Sequence, residues 1–403
     1  MSNILFVYQR KMATSEGMYE IFMGKTAIQH GLKSRFVTTD KVTERWLHWA
    51  DAVVFVRNQD LLAQMLIKKA RSSGAFCIQF FDDDVLSLPR SAVNRVQYLP
   101  WRKKAVRDGF TCTDLILSSN KALGEKYAQL IPANRSVTIH TAVEQNLLIS
   151  PEEKKTKCAE EEVKIVYAAG ANHEGMFDQF ILPTIPKLIE RYGRRVSFTF
   201  FGVHPDVSRF ERQIKIRYIS AMPLNQYRKE IQRGDYDIGL SPLESNEFTK
   251  YKYFNKFIEY TIAGTVGIYS RALPYTLIIE DEKNGFLADN DADSWFQALC
   301  KAIDDCELRK NCYQNAYDLI TTQMEPNHII QKFKEDIPEL ECRRKNKRVC
   351  IISSKAKFLL FRFIECFYLV VVYMKLAGIR GTAVKIQSYI HDQRAARNDK
   401  LDN

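Results

Sequence analysis

The feature that most constrains this chain is an alternation, made twice over, between short apolar β-branched runs and longer segments of helical period. Parallel βαβ units read this way because a strand buried on both faces needs an unbroken apolar run, while each crossover helix needs only one apolar stripe. In the first half, residues 4–8, 34–38, 52–56, 76–81, 114–118 and 136–140 read as strands, and 18–30, 61–72 and 121–130 as helices, with a short helical WLHWA segment between. Glycines 31 and 74 close the first two helices. The run PEEKKTKCAEEE, residues 151–162, is almost pure charge without a hydrophobic period and reads as a linker. A second alternation follows: strands at 164–169, 196–201, 237–241 and 266–270, and helices at 178–192, 225–232, 253–263 and 293–323.

A chain of 403 residues exceeds what one hydrophobic core usually serves. The expected organisation is an N-terminal Rossmann-like domain over 1–150, the linker 151–162, a second Rossmann-like domain over 163–342, and a basic, apolar helical tail over 343–403. Two doubly wound α/β domains so joined are expected to hold a ligand between them, at the carboxyl ends of both sheets.

Charge is unevenly shared. Of 59 Lys and Arg and 48 Asp and Glu, the tail takes fourteen and four, leaving 45 and 44 for a nearly neutral body. A basic face spread across a folded domain, as nucleic-acid binding needs, is therefore not indicated, and the tail suits an anionic membrane surface. Nine cysteines with no Cys-x-x-Cys pair indicate neither a zinc site nor a disulfide framework, so free buried thiols in a reducing compartment are expected. The first apolar run is too short for a signal peptide and starts as a strand, which makes cytoplasmic residence the expectation. Neither Gly-x-Gly-x-x-Gly nor Gly-x-x-x-x-Gly-Lys-Ser/Thr occurs, so dinucleotide dehydrogenases and P-loop nucleotidases lose their main support.

The richest stretch is YDIGLSPLESNEFTKYKYFNKFIEYTIAGTVGIYS, residues 236–270. A buried strand ends at Ser241 and Pro242, a polar loop follows, and a helix then carries Lys256 and Glu259 on one face. Lys252 precedes that helix, where backbone N–H groups and the helix dipole favour an anion. Cations with a helix end suit a diphosphate, and a fixed carboxylate suits a ribose diol. The same pattern is also what a solvated amphipathic helix with an ion pair would show.

These residues resemble the donor-binding region of glycosyltransferases with the GT-B fold, especially bacterial family 4-like enzymes, in which Lys-Ser-x-x-Lys-x-x-Glu-Tyr precedes a small-residue helix end. The matching positions are Lys252, Tyr253, Lys256, Glu259, Tyr260 and Gly264. Tyr253 replaces the usual Ser, Val266 stands where Pro is common, and Tyr251 occupies the place of a frequent glutamate, with Glu247 the nearest carboxylate in the loop. The resemblance spans about 320 residues, and IVYAAGANHEGMFDQF looks like the opening of the family's second domain, with Gly170 and His173 at the phosphate-side positions. It implies a retaining, metal-independent transfer of sugar from a nucleotide-sugar donor to a glycan or lipid-linked acceptor, with no cofactor. Donor contacts would come from Gly170, His173, Lys252, Lys256 and Glu259; His173 and Lys252 are the catalytic candidates. A sugar-nucleotide epimerase of the same fold and a catalytically silent binding protein remain as alternatives.

In the first half, ADAVVFVRNQDL, FFDDDVLSLP and TDLILSSNKALGEKY follow the family order, which sets Arg57, Asp82, Asp83, Asp84, Ser118 and Ser119 at strand ends. The triple aspartate admits three readings: acceptor hydroxyl binding, helix capping, or a metal site. Gln9, Arg10, Ser15, Asp82 and Asp83 are the acceptor candidates. In the tail, Arg362, Glu365 and Lys375 interrupt an apolar run of about twenty residues. Interfacial anchoring on a membrane through 343–390, packing onto the first domain or a partner, and a true span are all open for it.

Overall fold

The computed structural model describes residues 2–9, 13–88, 96, 99–154, 161–169, 174–341, 348, 351–352 and 355–397. The chain divides into two compact units, Met1–Ala142 with Pro326–Asn403, and Val143–Glu325.

In the first unit the elements run β1 (Ser2–Tyr8), α1 (Ala13–Met23), α2 (Lys25–Gln29), β2 (Leu32–Thr38), α3 (Glu44–Trp49), β3 (Ala52–Val56), α4 (Leu61–Ser72), β4 (Phe76–Phe81), α5 (Pro100–Phe110), β5 (Leu115–Ser118), α6 (Lys121–Ala128) and β6 (Ser136–Thr138). The six strands are parallel in the order β2-β1-β3-β4-β5-β6. Period-2 alternation divides β1 between two cores: Ile4, Phe6 and Tyr8 join one cluster, Leu5 and Val7 the other, where α4 also packs. That double burial is why β1, β3 and β4 read as unbroken apolar runs.

The second unit comprises β7 (Val163–Ala168), α7 (Glu174–Phe180), α8 (Ile185–Tyr192), β8 (Val196–Phe201), β9 (Lys215–Ile219), α9 (Leu224–Arg233), β10 (Ile238–Ser241), α10 (Asn255–Ile262), β11 (Val266–Ser270), β12 (Phe286–Ala288), α11 (Ala292–Asp304) and α12 (Cys306–Gln323). Its parallel order is β12-β11-β10-β7-β8-β9. Each sheet therefore has one place where the winding reverses, between β1 and β3 in the first and between β7 and β10 in the second. Strand-end loops diverge there and leave room for a ligand.

Departures from the sequence reading have local causes. The helix expected over 18–30 breaks at Gly24, whose ψ of 161° is extended. The one expected over 178–192 is interrupted by a 3-10 turn at Leu182–Thr184, and the one over 293–323 restarts where the Asp305 side chain accepts from Leu308 N at 2.8 Å. Strand β9, KIRYI, escapes the pattern because it is an edge strand with charges along it and little burial. Cys306 is held in a disulfide, against the expectation of free thiols, while Cys77, Cys112, Cys300, Cys312 and Cys366 are free. Cys158, Cys342 and Cys350, and half of the expected linker (155–160), lie outside the described residues.

The chain returns to the first unit before residue 342, earlier than the expected boundary. α13 (Pro326–Asp336) buries Ile329, Ile330 and Phe333 in the core of that unit, with Phe333 edge-on to Phe22 at 4.8 Å. α14 (Ala356–Arg397), broken at Gly378 with φ of 66°, then packs along the same unit. Two of the charges that interrupt its apolar run do the docking. Arg362 Nη2 donates to Thr39 Oγ1 at 2.8 Å and to Asp60 Oδ2 at 3.0 Å. Glu365 is buried, accepting from Trp101 Nε1 at 2.9 Å and Arg102 Nε at 2.7 Å. Among the described residues, no helix is long and apolar enough to cross a membrane.

Candidate functional site

The second sheet's reversal point is flanked by the ends of β7 and β10, and α10, which carries Lys256 and Glu259, is bonded to β10 through Tyr260 Oη and Leu240 O. A network of hydrogen bonds shapes the chain leaving β10. Ser270 Oγ accepts from Leu243 N at 2.8 Å and lies 2.6 Å from Asn290 Oδ1, and Asn290 Nδ2 donates to Leu243 O at 2.9 Å. Asn246 Oδ1 then accepts from the N–H groups of Phe248 and Thr249, and Thr249 Oγ1 donates to Glu244 O at 2.6 Å. The loop is thus ordered by its own polar groups, as an Asx turn is. It ends in a 3-10 turn (Thr249–Tyr251), and Lys252 follows in extended conformation, its ammonium 5.4 Å from the Phe248 ring and two residues short of α10, which starts at Asn255 rather than at the expected 253.

On α10, Lys256 and Glu259 meet as their spacing predicts, with Nζ 2.5 Å from Oε2. A third member, invisible in the local pattern, comes from α9: Tyr227 donates its hydroxyl to Glu259 Oε2 at 3.0 Å and stands 3.3 Å from Lys256 Nζ. Burial, and after it the Glu259 carboxylate, push the Tyr227 hydroxyl well above its usual range, so it stays a neutral donor. Both bonds to the carboxylate end on Oε2. The helix is seated by its neighbouring residue: Tyr260 is fully buried, donates to Leu240 O at 2.7 Å, and lies over Gly239, where an added Cβ would meet its ring at 2.6 Å. Glycine at 239 is what lets α10 approach β10 closely. Glu247 is exposed and pairs with Lys250 at 2.7 Å. Gly170 and His173 lie outside the described residues.

The first sheet shows a comparable gathering at its own reversal point. Arg57, just past β3, has φ of 49° and reaches Asp82 at 3.0 Å and Asp83 at 2.9 Å. Burial works against its charge, but the two carboxylates outweigh this and raise its pKa. Thr14 donates to Asp82, Gln9 is half-buried at the end of β1, and Ser15 is buried in the first turn of α1. Among the described residues, five buried polar atoms here have no hydrogen-bond partner: Gln9 Nε2, Arg57 Nε, Asn58 Oδ1, Asp82 Oδ1 and Ser119 Oγ, although Asp82 Oδ1 lies 3.0 Å from Arg57 in the ion pair. Such atoms are costly unless something satisfies them. Asp84 is different in kind: fully buried, it takes Lys126 Nζ at 2.6 Å and Tyr127 Oη at 2.8 Å and accepts from Leu86 N, so it organises the turn after β4. Arg10 lies outside the described residues. Among the described residues, no group of three or more His, Cys, Asp or Glu is placed to hold a metal ion.

Two doubly wound parallel units, each with polar residues gathered where its sheet reverses, define the GT-B fold. Solved structures share it along most of the chain. Anabaena HepE, solved in complex with UDP and glucose, is similar at a TM-score of 0.58 and 14% identity, covering 84% of this chain and 100% of that one. Sucrose-phosphate synthase from Thermosynechococcus elongatus is similar at 0.58 and 11%, covering 85% and 99%. A glycosyltransferase from Rickettsia africae is similar at 0.56 and 14%, covering 85% and 99%. No family model matches the chain, and no curated protein matches it.

Proposed function

We propose that the protein transfers a sugar from a nucleoside-diphosphate sugar to a hydroxyl of a glycan or lipid-linked glycan, with retention of configuration and without a metal. The observation that carries this reading is the cluster that Tyr227 of α9 forms with Lys256 and Glu259 of α10, the helix that Tyr260 seats against the end of β10, with Lys252 preceding that helix in the chain. In this reading Lys252 and the start of α10 neutralise the diphosphate as it leaves, where charge grows in the transition state. Glu259, held on one oxygen by Lys256 and Tyr227, offers Oε1 to the ribose hydroxyls. Gly170 and His173, after β7, are assigned to the phosphate side by sequence resemblance, with His173 and Lys252 the catalytic candidates. The presence of UDP and glucose in the similar Anabaena structure favours a uridine nucleotide as the first donor to test.

The acceptor is assigned to the carboxyl edge of the first sheet, through Gln9, Arg10, Ser15, Asp82 and Asp83. Arg57 holds the two aspartates in place there. An anionic membrane surface is the further partner, reached through 343–390.

The test is thermal stabilisation by a panel of nucleotide sugars, followed by product analysis with and without EDTA. A donor-specific shift that disappears in Lys252→Ala and Glu259→Ala, with the unliganded melting temperature kept, is the expected result. No shift with any nucleotide sugar would overturn the reading. A second reading, a binding protein without turnover, is favoured by Tyr251, whose ring lies against Lys250 where related sequences carry a carboxylate. It predicts the shift without product.

A further inference from the structure

α14 is amphipathic in the inverse sense to a packed surface helix. The stripe it turns toward the first unit carries Phe358, Arg362, Glu365 and Val372, spaced at three, four and seven residues, and its charged members are the ones in ion pairs. The opposite stripe is apolar and open: Leu360 is 59% exposed, Phe363 69% and Phe367 63%. Leu359, Ile364 and Met374 continue that open surface along the helix. An aqueous surface ordinarily carries the reverse arrangement, and a contiguous apolar strip of this kind marks an interaction face. Exposed cations border it, Lys357 at one end and Lys375 with Arg380 at the other, within a tail of fourteen basic and four acidic residues.

We infer that α14 is a membrane-seating element clipped rigidly to the first unit: its outward apolar stripe enters the headgroup boundary of an anionic bilayer while Arg362 and Glu365 keep it docked. The charge pattern selects this occupant, because acyl chains accept the aromatic and aliphatic row while anionic headgroups accept the flanking cations. The clip also fixes what faces the lipid. Asp60, which receives Arg362, caps α4 through Ala63 N at 2.7 Å and lies three residues after Arg57. Lipid seating and the first sheet's carboxyl edge are therefore joined by one short segment, so the bilayer sets the orientation of that edge. This deepens the membrane partner named above and does not depend on sugar transfer, since vesicle binding is measured without any donor.

The experiment is co-sedimentation of the full chain with vesicles of phosphatidylcholine alone and of phosphatidylcholine with about a quarter phosphatidylglycerol. Strong binding to the second only, reduced at least about tenfold by Phe363→Asp with Phe367→Asp at unchanged melting temperature, is expected. Proteolysis of the vesicle-bound protein should leave residues 356–377 protected as in the free protein. A failure to bind anionic vesicles, or a concentration-dependent dimer dissolved by the same double variant, would overturn the inference and make the stripe a contact between copies. New cleavage within 356–377 on vesicle binding would overturn the rigid clip.

Discussion

At the scale of single residues, the most instructive contrast is between Glu259 and Asp84. Both carboxylates accept from a tyrosine hydroxyl and a lysine, but Glu259 keeps an oxygen clear of those donors at an open edge, whereas Asp84 is sealed inside. Burial alone would raise the Asp84 pKa, and the bonds from Lys126, Tyr127 and Ser87 overcome it, so the folded value lies below the ordinary 3.8. A lowered folded value means stabilisation that is fully present above about pH 4 and lost as pH falls through the folded pKa. Asp84→Asn should accordingly cost about 1–3 kcal/mol at neutral pH, and the difference from the parent should shrink in acid, as denaturant titrations at pH 7 and pH 3 can check. Tyr227→Phe tests the other carboxylate. It removes one donor to Glu259 without touching the fold, and should weaken donor binding by about five- to tenfold in calorimetric titration with a nucleotide sugar.

Among elements, α10 was readable in advance because its charges and small-residue end repeat a recognisable order, while its exact seat was not. Gly239 is an ordinary strand residue by sequence, yet it is the floor on which Tyr260 rests. Gly239→Ala should push the ring and with it Glu259, costing at least about 1–3 kcal/mol in thermal unfolding and weakening donor binding together. Tyr227 escaped notice for a different reason: it lies 32 residues before Glu259, on an element chosen by the crossover geometry rather than by any local pattern. For α14 the charges at 362 and 365 were legible as obstacles to a membrane span, but their role as docking groups was not. Glu365→Ala leaves the Arg102 guanidinium buried without its partner, and should cost about 3–5 kcal/mol of first-unit stability. Replacing both partners at once, Glu365→Leu with Arg102→Met, should recover most of that loss, which a double-mutant cycle measures.

For the molecule as a whole, connectivity decides where stability resides. α13 lies far along the chain from β1, yet Ile330 is fully buried in the core that β1 helps to form. Ile330→Ala should cost about 2–5 kcal/mol, and hydrogen exchange should show the loss in β1 and β2 while β7 and β10 keep their protection. Apart from β9, β12, α5 and α13, strand and helix identities, with the two α/β alternations and the Lys256–Glu259 pairing, were determined by the sequence alone, because they follow from periods of two and 3.6 residues that act over short distances. The strand orders, the return of residues 326–340 to the first unit, the Tyr227 contact and the inward turn of Arg362 and Glu365 were decided only in three dimensions. Each of these joins residues distant in the chain, and a hydrophobic period says that a face will be buried without saying what will bury it.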